Sequence, residues 1–337
     1  MGVVGGPVGS ALASTSDPCE HVKVSYAVPS IKPSFQRPPS RVAIQRAASY
    51  EANLAAIISE TLAEFRLDLK GRSVLLKPNF VGADPQCVMN THPSVVAAAR
   101  EAFLRAGAAT VVVGEGPALE RDTEGILEAI HLREYLGSLD GAFVDLNVDN
   151  VWPVALRTRA SSVKRLYLPA SVLRADCVVS LPKLKTHHWA GVTLSLKNMF
   201  GIVPGHCYGW PKNLLHWAGI SKSILDLNST VRPDFAIVDG IVGMEGNGPT
   251  QGQPKAAGLL VMGDDPVAVD ATCARIMGLI PERVEYLRRA GILLGNLSEK
   301  KIEQIGESIA SVSQPFAMVR EFEFLRANGR ITEPRSV

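Results

Sequence analysis

Short apolar runs that each break off into charged or glycine-bearing residues constrain this chain more than any other feature. VLL ends at Lys77, VVV at Gly114, CVVSL at Pro182, AIV at Asp239 and LLVM at Gly263. Runs of this length, rich in Val, Ile and Leu, read as strands buried on both faces. Helical patterns alternate with them. Leu54, Ile57, Ile58, Thr61 and Phe65 fall at helical spacing, and so do Val95, Ala99 and Phe103, with Thr91 as a cap and Gly107 as an end. A third helix is predicted near 124–132 and a fourth over about 213–227. A fifth starts at Asp265 as N-cap, with Pro266 in its first turn and Gly278 at its end. Strand and helix in alternation predict an α/β fold with a mostly parallel sheet, helices on both faces, and polar loops at the carboxyl ends of the strands.

Residues 1–40, rich in Gly, Pro and Ser, read as a mobile N-terminal tail, and 41–337 as a single α/β domain. Val151 to Ala175 is less regular and reads as antiparallel or connecting structure, so a division into two lobes would fall near 150–175. A net charge of +2 without a concentrated basic run argues against nucleic acid as a partner. No apolar stretch approaches the roughly 18 residues of a membrane span, and the start of the chain has no basic leader. Five scattered cysteines without a CxxC pair suggest reduced thiols and a cytoplasmic location, and homo-oligomerisation stays open.

Ligands of open parallel sheets bind beyond the carboxyl ends of the strands, so the residues after each run are the candidates. Lys77, Lys183 and Lys197 lie among apolar neighbours and could bind or polarise a carboxylate or phosphate, and Lys185 points to the same side as Lys183 in an extended segment. Each could equally be a surface lysine whose stem covers apolar neighbours. His187 and His188 are adjacent, so one of them can reach the site as an acid or base. Asp270 shares a helical stripe with apolar residues and, like Asp239, could orient the catalytic group or balance its charge, a structural ion pair being the plainer role. Asn79, His92, Asn198, Glu245 and Asn247 fill out the candidate substrate site. GNGPTQG could cradle a phosphate through its backbone or be a plain loop.

KPNFV, THPSVV, SLPKLKTHHWAGVTLSLKNMFGIVPG, RPDFAIVDGIVGMEGNGPTQG and DDPVAVDATCARIMG occur in an order that resembles the domain of unknown function 362 family, over Arg41 to Gly295. The resemblance implies one α/β domain, fused in some relatives to a ferredoxin-like module whose CxxCxxC run is not found in this sequence. The central segment is also similar in layout to the lactate racemase family. That similarity implies His187 or His188, Lys197 and His216 around a nickel-pincer nucleotide, although Leu194, Ser195 and Leu196 stand where that family usually has a glycine pair.

These residues together predict an enzyme that acts on a small anionic substrate by Lys/His acid–base chemistry, such as isomerisation, elimination or group transfer, with no cofactor required. Two other readings compete with it. One is an iron–sulfur redox protein built on Cys177, Cys207 and Cys273, which with His216 are also the candidates for a divalent metal. The other is a ligand-binding protein without catalysis.

Overall fold

Side chains alternate across a strand, and that period splits each central run between two cores. In the segment Ser73–Pro78, Val74 and Leu76 enter one core while Leu75 enters the other. Cys177, Val179 and Leu181 join the first, and Val178 joins the second. Phe235 and Ile237 oppose Ala236 and Val238 in the same way. A sheet with two apolar faces must be covered on both sides, and helices supply the cover.

The computed structural model describes residues 37–328, so the expected mobile tail lies outside the described residues except for 37–40. Twelve strands follow in chain order: β1 (Ser40–Arg46), β2 (Ser73–Pro78), β3 (Thr110–Glu115), β4 (Phe143–Asp145), β5 (Val151–Ala155), β6 (Arg165–Pro169), β7 (Cys177–Leu181), β8 (Lys183–His187), β9 (Gly191–Thr193), β10 (Phe235–Asn247), β11 (Gln251–Gly263) and β12 (Ile302–Gly306). Ten of them form one mixed sheet in the order β12-β1-β11-β10-β7-β2-β3-β4, with β8 on β10 and β9 on β8. The half that runs from β10 through β7, β2 and β3 to β4 is parallel throughout. The strands β5 and β6 pair antiparallel as a separate ribbon within the segment read as irregular.

Helices Leu54–Ala63 and Pro93–Arg105 cover one face, with Ile58, Val95, Ala99 and Phe103 fully buried. Helices Ile220–Thr230, Pro266–Ile276 and Glu285–Leu293 cover the other. A fully buried side chain of this size contributes about 1.5–3 kcal/mol of transfer free energy. Among the described residues no helix is long and apolar enough to cross a membrane.

Asp265 caps its helix as expected, accepting from the amides of Val267 and Ala268. His92 rather than Thr91 caps Pro93–Arg105, through Nδ1 to the Ser94 amide. The Thr91 hydroxyl accepts from the Asn79 amide and donates to the Leu181 carbonyl instead, tying the ends of β2 and β7 together. The helix expected over 213–227 is broken at Gly219, whose φ of +97° ends Asn213–Trp217 and starts Ile220–Thr230.

The largest difference from the expected pattern is at GNGPTQG: only 248–250 form a turn, and the residues on either side belong to β10 and β11, 13-residue strands paired antiparallel. The reason lies in β8. A Cβ on Gly243 would stand 2.6 Å from the Leu184 carbonyl oxygen, so glycine here serves close backbone approach rather than flexibility.

Asp239 points to the face of Ile237 and meets Lys183 at 2.9 Å, both side chains fully buried. Tyr50 takes a hydrogen bond from Lys183 (2.8 Å) and donates to Asp239 (3.1 Å). The His92 amide donates to the same carboxylate, and the His92 ring stacks on Tyr50 at 3.8 Å. Removing one member of such a pair strands a buried charge. Asp239→Leu is therefore expected to cost about 3–5 kcal/mol in urea unfolding, while Lys183→Met/Asp239→Leu recovers most of that loss. A double variant as unstable as the single one would show that the pair itself is not what the segments depend on.

Candidate functional site

A cavity of about 290 Å³ opens where β2, β3 and β8 end. That volume suits a small metabolite. Lys185, Lys197 and Lys212 line it, together with His187, His188 and His216, and Phe80, Leu119, Trp189 and Phe200 supply apolar wall. Among the described residues, Glu115 is the one carboxylate in the lining.

The strand pattern sets these positions. Leu76 belongs to the first core, so Lys77 points to the opposite face, where it is fully buried and donates to Glu115 (2.7 Å), the Pro78 carbonyl (2.5 Å) and Asn198 (3.2 Å). Glu115 also accepts from the amides of Phe80 and Gly116. Asn198 in turn donates to the Lys77 carbonyl and the Ser180 hydroxyl. A Cβ on Gly201 would meet the tips of both the Lys77 and the Glu115 side chains, so a larger residue there would displace that pair.

The short helix Ser195–Asn198, which carries Lys197, is anchored from below. Asp270 accepts from the amides of Ser195 (2.8 Å) and Leu196 (3.0 Å) and from the Ser195 hydroxyl. Burial pushes the Asp270 carboxyl up to about 7, against the hydrogen bonds from Ser195 and Leu196.

Burial opposes every cation here. Lys197 is lowered to about 7 by burial and by Lys77, and Lys212 to about 7 by burial against the pull of Glu115. Lys185 falls well below the usual lysine range through burial and then Lys197. Lys185 and Lys212 find backbone acceptors, Met89 at 2.7 Å and Gly116 at 2.5 Å. Half-buried Lys197 sits over the Phe200 ring at 4.1 Å.

The histidines divide by tautomer. His187 accepts the amides of Trp189 and Ala190 at Nδ1, and burial followed by Lys197 holds it well below the usual histidine range. Its proton therefore sits on Nε2. His188 and His216 bring Nδ1 against the carbonyls of Gly248 (2.8 Å) and Lys212 (3.1 Å), so Nδ1–H donates and Nε2 is left as the acceptor. Burial lowers His216 to about 4.

Of the residues expected at the site, the structure brings together Asn79, Lys185, His187, His188, Lys197, Asn198 and His216 around the cavity, with Lys77 directly behind. His92, Lys183 and Asp239 form the separate cluster on the other face of the sheet. Asp270 supports from beneath. Glu245 pairs with Lys255 and caps the Ala317 amide, and Asn247 bonds Gln251 across the hairpin tip. Sequence reasoning singled out neither Lys212, fully buried in a left-handed conformation, nor any role for Glu115. The abrupt GEG after VVV was a local signal for Glu115, whereas nothing in WPKN marks Lys212.

The cysteine-ligated cluster is not met. Cys177 packs with Val179 on one face of the sheet, while Cys273 and half-buried Cys207 pack on the other. Among the described residues no three His, Cys, Asp or Glu side chains converge as a metal-binding group. The nickel-pincer arrangement asks for glycines before its lysine, but Leu194 and Leu196 are buried core here and Ser195 is bonded to Asp270. The residues do not fit that group, and no chemical step is assigned to it.

The family described as Domain of unknown function (DUF362) matches residues 74–275. A thylakoid-associated protein of Synechocystis sp. is 32% identical over 257 residues, which cover 72% of this chain and 76% of that protein. Among solved structures, the lactate racemase apoprotein of Thermoanaerobacterium thermosaccharolyticum is similar over 72% of this chain and 57% of its own, at TM-score 0.42 and 14% identity. A Thermotoga maritima protein matches over 68% of this chain and 59% of its own, at TM-score 0.39 and 13% identity. The match thus spans less than two thirds of either structure.

A lysine held near 7 in the fold and near 10.5 in the unfolded chain makes stability pH-dependent. Between those values the unfolded chain binds the extra proton, so this lysine's contribution makes stability rise with pH across that window and its full cost is felt below about 7. Lys197→Met is expected to melt at higher temperature than the parent at pH 7, with the gap closing toward about pH 10. A melting-temperature difference that is absent, or constant with pH, would mean that Lys197 is not destabilised by its site.

Proposed function

The chain belongs to the DUF362 family, whose description fixes no reaction, and from its pocket we propose an enzyme acting on a small carboxylate or phosphate by lysine and histidine acid–base chemistry. One observation carries this reading. Among the described residues, three lysines face a cavity whose single lining carboxylate, Glu115, already accepts from Lys77 and two backbone amides. An anion entering the cavity would favour the charged form of these lysines at low dielectric, where each contact is worth more than in water.

The groups that would move a proton are present in both senses. Lys197, near 7, can hold or release one at neutral pH. The Nε2–H of His187 can donate, and Nε2 of His188 or His216 can accept. Lys185 and Lys212, fixed to backbone carbonyls, would orient the anionic group. Isomerisation and elimination both need this pairing of an acid with a base across one substrate. The location we propose is a reducing compartment, the cytoplasm in the simplest case, because Cys87, Cys177 and Cys273 are buried as thiols.

Anion binding is expected to draw protons onto the depressed lysines. The groups facing the bound anion are Lys185, Lys197 and Lys212 with His187, His188 and His216, and Lys77 behind them is balanced by Glu115. Sulfate keeps its charge across neutral pH, so calorimetry with sulfate isolates the protein's titration. Its affinity should fall as pH rises above about 7, by up to about tenfold per pH unit for each coupled lysine, with proton uptake on binding. Affinity that does not change between pH 6.5 and 8.5, values taken about one half-unit below and well above the lysine pKa, would sink the reading that these lysines hold the anion.

A further inference from the structure

Three lysines line the cavity, and their ammonium groups are not held alike. Lys185 donates to Met89, and Lys212 donates to Gly116 and Gly201. Lys77, just behind, donates to Glu115, Asn198 and Pro78. Lys197 has no oxygen acceptor among the described residues; its Nζ lies over the face of Phe200. An ammonium gains from hydrogen-bond acceptors, whereas an amine with an open lone pair needs none. The backbone that carries Lys197 is fixed before it by Asp270 on Ser195 and Leu196 and by Asn228 on the Leu196 carbonyl, and after it by Asn198 on the Lys77 carbonyl. A side chain on a rigid base, open at its tip and flanked by lysines fixed to backbone carbonyls, has the form of a positioned nucleophile.

Two further atoms point to an absent partner. Asn79 and Thr193 line the cavity, and Asn79 Oδ1 and Thr193 Oγ1 are buried without a hydrogen-bond partner among the described residues. Buried polar atoms of this kind are rarely left unpaired without reason.

We propose that Lys197 is a nucleophilic amine that forms an imine with the carbonyl carbon of a small 2-oxo acid, whose carboxylate lies against Lys185 and Lys212. This rests on the anion-pocket reading and adds to it a substrate class and a covalent step. The lone pair of Nζ attacks the carbonyl carbon, whose oxygen accepts a hydrogen bond from Nε2–H of His187. Nε2 of His188 or His216 takes one proton from the nitrogen and delivers it to that oxygen, which gives the carbinolamine. The hydroxyl then leaves as water with a second proton as the C=N bond forms. Amine and ketone become imine and water, with no change of oxidation state. Asn79 Oδ1 and Thr193 Oγ1 are the acceptors for the carbinolamine hydroxyl and N–H. Burial beside Lys77 keeps Lys197 available as the neutral amine at neutral pH.

The test is reductive trapping on the full chain. Protein incubated with pyruvate and then borohydride is digested and mapped by mass spectrometry, with sulfate as competitor. One reduced pyruvate on Lys197, suppressed by sulfate, and faster labelling as pH rises through about 7, is the expected result. Lys197→Arg removes the nucleophile and should label at least about tenfold less, because Lys185 and Lys212 are tied to backbone carbonyls and the other lysines, near 10.4, are mostly protonated. Labelling on Lys185, Lys212 or scattered surface lysines overturns the assignment. Pyruvate that binds calorimetrically with no trapped adduct also overturns it, and leaves the anion pocket standing. If neither pyruvate nor sulfate binds, the pocket reading fails and the imine falls with it.

Discussion

The ion pair of Lys77 and Glu115 is the constraint on which the site depends. It joins the ends of β2 and β3, and through Asn198 and Gly201 it fixes the segment that carries Lys197. A buried pair of this kind adds little net stability, because the desolvation of two ions offsets most of their attraction. Its value here is arrangement. With Glu115 engaged by Lys77 and two amides, no carboxylate among the described lining residues is left to pair with Lys185, Lys197 and Lys212.

Stability and site chemistry oppose each other in this fold. Two apolar cores, one on each face of the sheet, offset the cost of placing several cations where water is scarce. Natural proteins tolerate such destabilised sites because function uses them. Asp270 shows how the cost is contained. It touches none of the cavity, yet its hydrogen bonds hold the turn from which Lys197 projects. The second polar cluster, Asp239 with Lys183, Tyr50 and His92, does comparable work on the opposite face by tying β8 and β10 to the start of a helix.

Much of the fold was legible. The runs before Lys77, Gly114, Pro182, Asp239 and Gly263 are all strands, because an apolar run too short for a helix has few other ways to be buried on both sides. Asp265 was legible as a cap because Asp-Asp-Pro is a local device. The β10–β11 hairpin was not, because its glycines answer to a neighbouring strand far away in sequence. His92 took the cap expected of Thr91 for a similar reason: the Thr91 hydroxyl bridges the ends of β2 and β7.

Alone, the sequence determined that polar residues would gather at the carboxyl ends of a mostly parallel sheet, and it named Lys197, His187, His188 and Asn198 among them. Only the tertiary structure decided on which side of the sheet each polar residue would lie. Lys77 and Asp239 both follow apolar runs, but strand parity sends them to opposite faces, one toward the cavity and one away. Lys212 entered the site because the chain folds back over β3, a contact with Gly116 across 96 residues that no local pattern encodes. Periodicity is a property of neighbours along the chain. A pocket is a property of neighbours in space.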